Sequence, residues 1–132
     1  MIEVYVDGAS SGSPGKSGAG IFIRANGQSF EHAIPLPIMT NNEAEFWAVI
    51  EALRICQENY PNEILSFLSD SQLVVDAIEK NHVKNIQFKP LLAKINEKAA
   101  LFPYFFIKWI PSNQNRQADR LAKAAIQLHP QA

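Results

Sequence analysis

The sequence predicts an α/β protein with a mixed sheet, in the element order βββαβααβα. Three observations predict it. Residues 2–7 alternate, with Ile2, Val4 and Val6 set against Glu3, Tyr5 and Asp7, as in a half-buried strand. Two further strand-like runs follow, separated by turn residues, which makes an antiparallel meander. The apolar period then changes to that of helices, and these alternate with two more strand-like runs.

Taken in order, residues 2–7 form the first strand, and Gly8 to Gly18 reads as a turn-rich loop. Ala19 to Arg24 is the second strand. Ala25-Asn26-Gly27-Gln28 is a hairpin turn, and Ser29 to Ile34 is the third strand. Pro35 and Pro37 then break the chain. Thr40 can cap a helix, and Glu43 three residues on completes a capping box. Phe46, Val49, Ile50 and Leu53 follow at helical spacing, and this helix should end near residues 57–59. Ile64 to Leu68 is the fourth strand. Ser71 begins a helix with Leu73, Val74, Ala77 and Ile78 buried. Residues 81–90 are a linker before a helix over about 91–101. Tyr104 to Ile110 is the fifth strand, 111–114 a loop, and 115–127 the last helix. Strands one and four can pair in parallel through a crossover that contains the long helix.

At 132 residues the chain fits a single domain, 1–132, and buries roughly two-thirds of its unfolded surface. Apolar residues make up 47% and charged residues 19%, which excludes a disordered chain. Cys56 is the only cysteine, so no internal disulfide is possible and a reducing compartment is expected. Neither a signal-peptide pattern nor an apolar run of membrane-spanning length occurs. The expectation is a cytoplasmic protein without a membrane partner. Net charge is −1, but its distribution is uneven. Residues 1–79 hold eleven acids against Lys16, Arg24 and Arg54, whereas residues 80–108 hold six lysines against Glu97. That is compatible with a cation-holding half beside a phosphate-facing half, or with solvated helix faces.

Four acids fall at element boundaries. Asp7 ends the first strand, Asp70 ends the fourth, and Glu45 and Asp119 lie early in helices. Neighbouring strands lie about 4.8 Å apart, so adjacent parallel strands would set Asp7 beside Asp70. Glu45 lies about 90° from the centre of its helix's apolar stripe, at the rim. Asp119 flanks the stripe of Ala118, Leu121, Ala122 and Ala125. Carboxylates so crowded repel unless cations lie between them. Hard divalent cations take carboxylate oxygens, and a pair of them suits in-line attack at a phosphodiester. Singly, each acid also has an ordinary reading as a turn, cap or helix-start residue.

The chain resembles the type 1 ribonuclease H family over essentially its whole length. The matching segments are Tyr-Val-Asp-Gly-Ala at 5–9, Gly-Ser-Pro-Gly at 12–15, Gly-Ala-Gly-Ile at 18–21 and Thr-Asn-Asn-Glu-Ala-Glu-Phe at 40–46. Ser-Asp-Ser-Gln at 69–72 and Asn-Arg-Gln-Ala-Asp-Arg-Leu-Ala at 115–122 complete the set, in the family's order. The resemblance implies a ribonuclease H-like fold, a five-stranded mixed sheet flanked by helices on both faces. It implies that Asp7, Glu45, Asp70 and Asp119 are the catalytic, metal-holding acids, with two Mg²⁺ or Mn²⁺ ions as cofactors. It also implies cleavage of the RNA strand of an RNA–DNA hybrid by a monomer, leaving 5′-phosphate and 3′-hydroxyl ends. Asn41, Asn42 and Gln72 match minor-groove contacts, Gly8 and Ala9 the backbone near the RNA, and Thr40 a residue near a DNA phosphate. Turn chemistry at Asn41 and Asn42, and capping at Thr40, are the competing readings.

Several residues depart from the family pattern. Ser13 stands where an Asn often meets phosphate. No His lies between Trp109 and Asp119, where the family often has one, which implies slower turnover. The resemblance leads to the expectation of a short form, without the basic insertion of longer forms or a hybrid-binding domain, in which Lys80, Lys84 and Lys89 compensate in part. Two alternatives follow: a member that binds hybrid but cuts it weakly or not at all, or another nuclease of the superfamily. Among the remaining residues, Trp47 and Trp109 read as core, with stacking on nucleic acid as the alternative. Phe102, Tyr104, Phe105 and Phe106 read as core around the fifth strand, and Cys56 as core. His32, His82 and His129 follow no metal-ligand spacing.

Overall fold

Five strands hydrogen-bond in the order β3-β2-β1-β4-β5, with β1 at Ile2–Ser10, β2 at Gly15–Ala25, β3 at Gln28–Met39, β4 at Ile64–Ser69 and β5 at Tyr104–Trp109. The computed structural model describes residues 1–128; His129 lies outside the described residues. The first three strands are antiparallel, and β1, β4 and β5 run parallel. Helices α1 (Asn41–Asn59), α2 (Gln72–Lys80), α3 (Lys89–Ala99) and α4 (Arg116–Gln127) complete the expected order.

Register assigns the faces. A Cβ on Gly8 would strike the backbone of Ala44 in α1, and a Cβ on Gly20 would strike that of Ala118 in α4. Gly8 pairs with Ala19 and Asp7 with Gly20, so even residues of β1 face α1 and odd residues face α4. Helices therefore cover both faces. On the α1 side Ile2, Val4, Val6, Ile21, Ile23, Leu65 and Phe67 meet Phe46, Val49 and Leu53 in the core.

Local chemistry sets the helix ends. The Thr40 hydroxyl accepts from Glu43 N at 3.2 Å and the Glu43 carboxylate accepts from Thr40 N at 2.9 Å, the expected capping box. Pro61 follows the last turn of α1 and prevents its continuation. The Ser71 hydroxyl caps α2, which ends on Asn81 in the left-handed region.

Three expectations are corrected. The stretch 8–18 is mostly strand: β1 runs on to Ser10 and β2 starts at Gly15, because Gly8, Ala9 and Ser10 pair with Ala19, Gly18 and Ser17. Pro35 and Pro37 do not end the third strand, which continues to Met39 with Pro35 opposite Gly18. β3 is an edge strand, so a proline's missing N–H can face outward without loss of a ladder bond. In α2, Leu73 is exposed, while Val74, Val75 and Ala77 are buried.

Candidate active site

Asp7 and Asp70 stand side by side, but Asp7 does not end its strand as expected: it lies within β1, paired with Gly20, while Asp70 follows the last residue of β4. Val6 of β1 is in register with Ser69 of β4, so the next residue along each chain segment, Asp7 and Asp70, is brought to the same level of the sheet. The bend after Ser69 is set by its hydroxyl, which accepts from Ser71 N at 3.0 Å. Glu45 arrives from the opposite face on α1. Only glycine at position 8 lets the first turn of α1 press against β1. The Glu45 carboxylate then accepts from Gly8 N at 2.7 Å. Asp119 comes from the first turn of α4, which small residues on both sides hold close to β2.

Among the described residues, Asp7, Glu45 and Asp70 are the group whose ligand atoms converge, all within 4.8 Å of one another. Asp119 lies outside that group but lines the same open cleft of about 360 Å³, and its carboxylate pairs with Lys123 at 3.0 Å. Gly8, Ala9, Ser10 and Asn41 complete the lining together with Lys123. Asn42, Gln72, Thr40 and Ser13 do not line it. Gln72 donates to Asp76 at 2.8 Å, Thr40 is occupied as a cap, and Ser13 is exposed at the tip of the β1–β2 hairpin. Glu45 is not at a rim: it is 8% exposed, because its carboxylate is drawn onto β1 at Gly8 and hemmed in by Asp7, Asp70 and Ser71.

Burial shapes the charges. Asp7, 7% exposed, has its carboxyl pushed up to about 10, first by loss of hydration and then by Glu45. Desolvation also raises Glu45, while hydrogen bonds from Asp7, Gly8 and Ser71 pull it back. Two buried carboxyls therefore share a site that is unfavourable for both to ionise in without a cation. The donors are carboxylate oxygens only, which fits a hard divalent cation such as Mg²⁺ or Mn²⁺. Neither His32 nor His82 joins the group.

Two residues went unnoticed in the sequence. Lys123 lies one helical turn beyond Asp119, a spacing that would have flagged it. Asn115, 1% exposed, donates from Nδ2 to the carbonyl of Val6 at 2.9 Å and so ties the start of α4 to the residue before Asp7. Its Oδ1 is buried with no partner among the described residues.

A family model described as RNase H matches residues 1–127. The chain belongs to the RNase H family. Among similar curated proteins, EbsB of Enterococcus faecalis, which carries the name of a hydrolase, is 42% identical over 96% of this chain and 95% of its own length. A ribonuclease H of Chlorobium luteolum is 34% identical, covering 98% of this chain and 97% of its own. Among solved structures, RNase H1 of the archaeon Halobacterium salinarum superposes with a TM-score of 0.88 at 28% identity, over 96% and 97% of the two chains. LC11-RNase H1 in complex with an RNA/DNA hybrid superposes at 0.89 with 30% identity, over 97% and 98%. This RNase H family member thus has the family's sheet order and helix placement throughout.

The aromatic residues near β5 divide. Phe102 and Phe105 pack on the core as expected. Tyr104, 65% exposed, and Phe106 lie on the outer face of β5, and Trp109 is also exposed, so those core expectations are corrected. α4 packs on β1, β2 and β3, which leaves the outer face of β4 and β5 open to solvent. Trp47 is half-buried against the core, and Cys56 is fully buried.

Proposed function

We propose that this protein is a metal-dependent endoribonuclease that hydrolyses the RNA strand of RNA–DNA hybrids, leaving 5′-phosphate and 3′-hydroxyl ends. The observation that carries the reading is the convergence of Asp7, Glu45 and Asp70 where β1 and β4 run side by side, with Asp119 lining the same cleft. These four acids would hold two Mg²⁺ or Mn²⁺ ions. When bound, the ions supply activation of the attacking water and neutralise charge on the leaving oxygen. The Gly8–Ala9 backbone, without bulk, lets a ribose approach closely enough for its 2′-hydroxyl to be read. Asn41, Asn42 and Gln72 place the duplex, while Thr40 and Ser13 face its phosphates. A groove of about 310 Å³ between α2 and residues 82–88, edged by Lys80 and Lys84, would follow the second strand.

A second reading, a hybrid binder with little turnover, draws on the loop before Asp119, which offers Ser112, Asn113 and Gln114 and no histidine. One assay decides. An end-labelled hybrid is incubated with Mg²⁺ or Mn²⁺ beside DNA and RNA duplexes. Internal cuts confined to the RNA strand of the hybrid, and lost with EDTA or in Asp70→Asn, are the expected result. Tight binding without cuts favours the binder, and trimming from an end favours another superfamily nuclease.

A further inference from the structure

Trp109 ends β5 opposite Ser69, at the edge from which Asp70 emerges. Its two alternate neighbours on the same face, Phe105 and Ile107, pack against the core, but Trp109 stays 43% exposed. The indole is fixed nonetheless: Nε1 donates to the backbone carbonyl of Asp70 at 3.2 Å. The ring therefore lies along the bend that leads from Asp70 into α2 and Gln72. Its polar edge is satisfied on the protein side and part of its apolar surface is left in water. A core role does not need that exposure, and anchoring a carbonyl needs only a donor.

We propose that Trp109 is a substrate-binding residue whose exposed ring packs on a sugar or base of the RNA strand beside the bond held over the acids. The inference rests on the hybrid-nuclease reading. The strand that lies over Asp70 is the strand to be cut, and the ring touches Asp70 itself. An aromatic face accepts any base or sugar, so Trp109 contributes affinity without sequence preference. The N–H and the ring then do separate things: the first seats the indole on a backbone carbonyl, the second holds the strand.

Steady-state kinetics on a hybrid separate them. Trp109→Ala is expected to raise KM by about fivefold or more, with kcat much less affected. Trp109→Phe keeps a ring without the N–H and should recover most of the lost affinity. In the Asp7→Asn background, added hybrid should quench indole emission, and the quench should disappear when Trp109→Phe is combined with it. Trp109→Ala with an unchanged KM, or an equal fall in kcat at constant KM in both variants, overturns the assignment. The wild type assayed alongside distinguishes the causes. An active wild type with an indifferent Trp109→Ala defeats this inference alone, whereas a wild type that neither cuts nor binds hybrid defeats both readings.

Discussion

At the scale of the residue, Asp7 is the strained group of the site. Its folded carboxyl titrates near 10 against 3.8 as a free group, because burial and Glu45 both resist its charge. Between those values the folded chain carries a proton that the unfolded chain lacks. A raised folded value stabilises fully below the unfolded one and is lost as pH rises toward the folded one. The metal-free protein should therefore melt at progressively lower temperature from pH 5 to pH 9. Asp7→Asn cannot ionise, so it should flatten that slope, raise the Tm at neutral pH by roughly 3 °C or more, and abolish cleavage. Calorimetry in EDTA across the pH range checks the first two, and added Mg²⁺ should narrow the gap by favouring the wild-type carboxylate. Lys123 acts in the opposite sense. Its pairing with Asp119 is largely exposed, so Lys123→Ala should change stability by less than about 1 kcal/mol. Removal of a cation from the cleft should lower the half-saturating Mg²⁺ and raise KM for hybrid, each by about two- to fivefold. A Mg²⁺ titration in which both move the other way would remove Lys123 from the site. Asp70, Glu45 and Asp119 were legible in sequence because they sit near boundaries that periodicity and turn residues mark, whereas Asp7 was picked out by a strand end that the structure moves on to Ser10. Trp109, Tyr104 and Phe106 were misread because composition reports that a residue is apolar, not that no helix covers its part of the sheet.

Elements turn that pattern into a site through close backbone contacts. Gly20 lies under α4 where any Cβ would meet the backbone of Ala118 and Ala122. Gly20→Ala must push α4, and with it Asp119, away from the sheet. The expected cost is about 1–3 kcal/mol of stability, with a fall in activity larger than loss of folded protein explains. Gly27 gives the control: its φ of +77° strains an alanine by about 1–2 kcal/mol, but nothing lies within 4 Å. Gly27→Ala should lose stability in a urea titration and keep full kcat. If Gly20→Ala proved as active as Gly27→Ala, the close packing of α4 would not be what places Asp119. Element identity and order were readable from sequence, and so was the Thr40–Glu43 capping box. Strand ends were not. Gly8 to Ser10 have poor strand propensity, yet pairing with β2 carries them into the sheet. Pro35 and Pro37 look like breakers unless β3 is known to be an edge, and edge position is a property of the sheet rather than of the segment. Glu45 was placed at a rim for a similar reason, since its helix pattern does not announce how closely Gly8 lets α1 approach β1.

Over the whole molecule, a net charge of −1 conceals two unlike surfaces. The acids converge at the sheet edge, while the lysines of residues 80–98 follow α2, α3 and the segment between them. These lysines are not equivalent. Lys94 lies 5.9 Å from the centre of the Trp47 ring and helps hold α3 to α1. Lys80 and Lys84 edge the groove beside α2, with His82 between them and Leu73, Val83 and Phe88 beneath. Phosphate contacts release counterions, so each one steepens the salt dependence of binding by about 0.9 in a log–log plot. The Lys80→Gln/Lys84→Gln pair should therefore raise KM for hybrid at low salt and reduce that slope by about two, while turnover at saturating hybrid persists. Lys94→Gln should lower the Tm through the lost ring contact and leave the slope as it was. KM measured from 50 to 200 mM KCl on the three proteins checks this. An unchanged slope in the double variant would make the lysines of α2 and the following segment a solvated face, and would leave the acid cleft and its small-residue rim to hold the duplex alone.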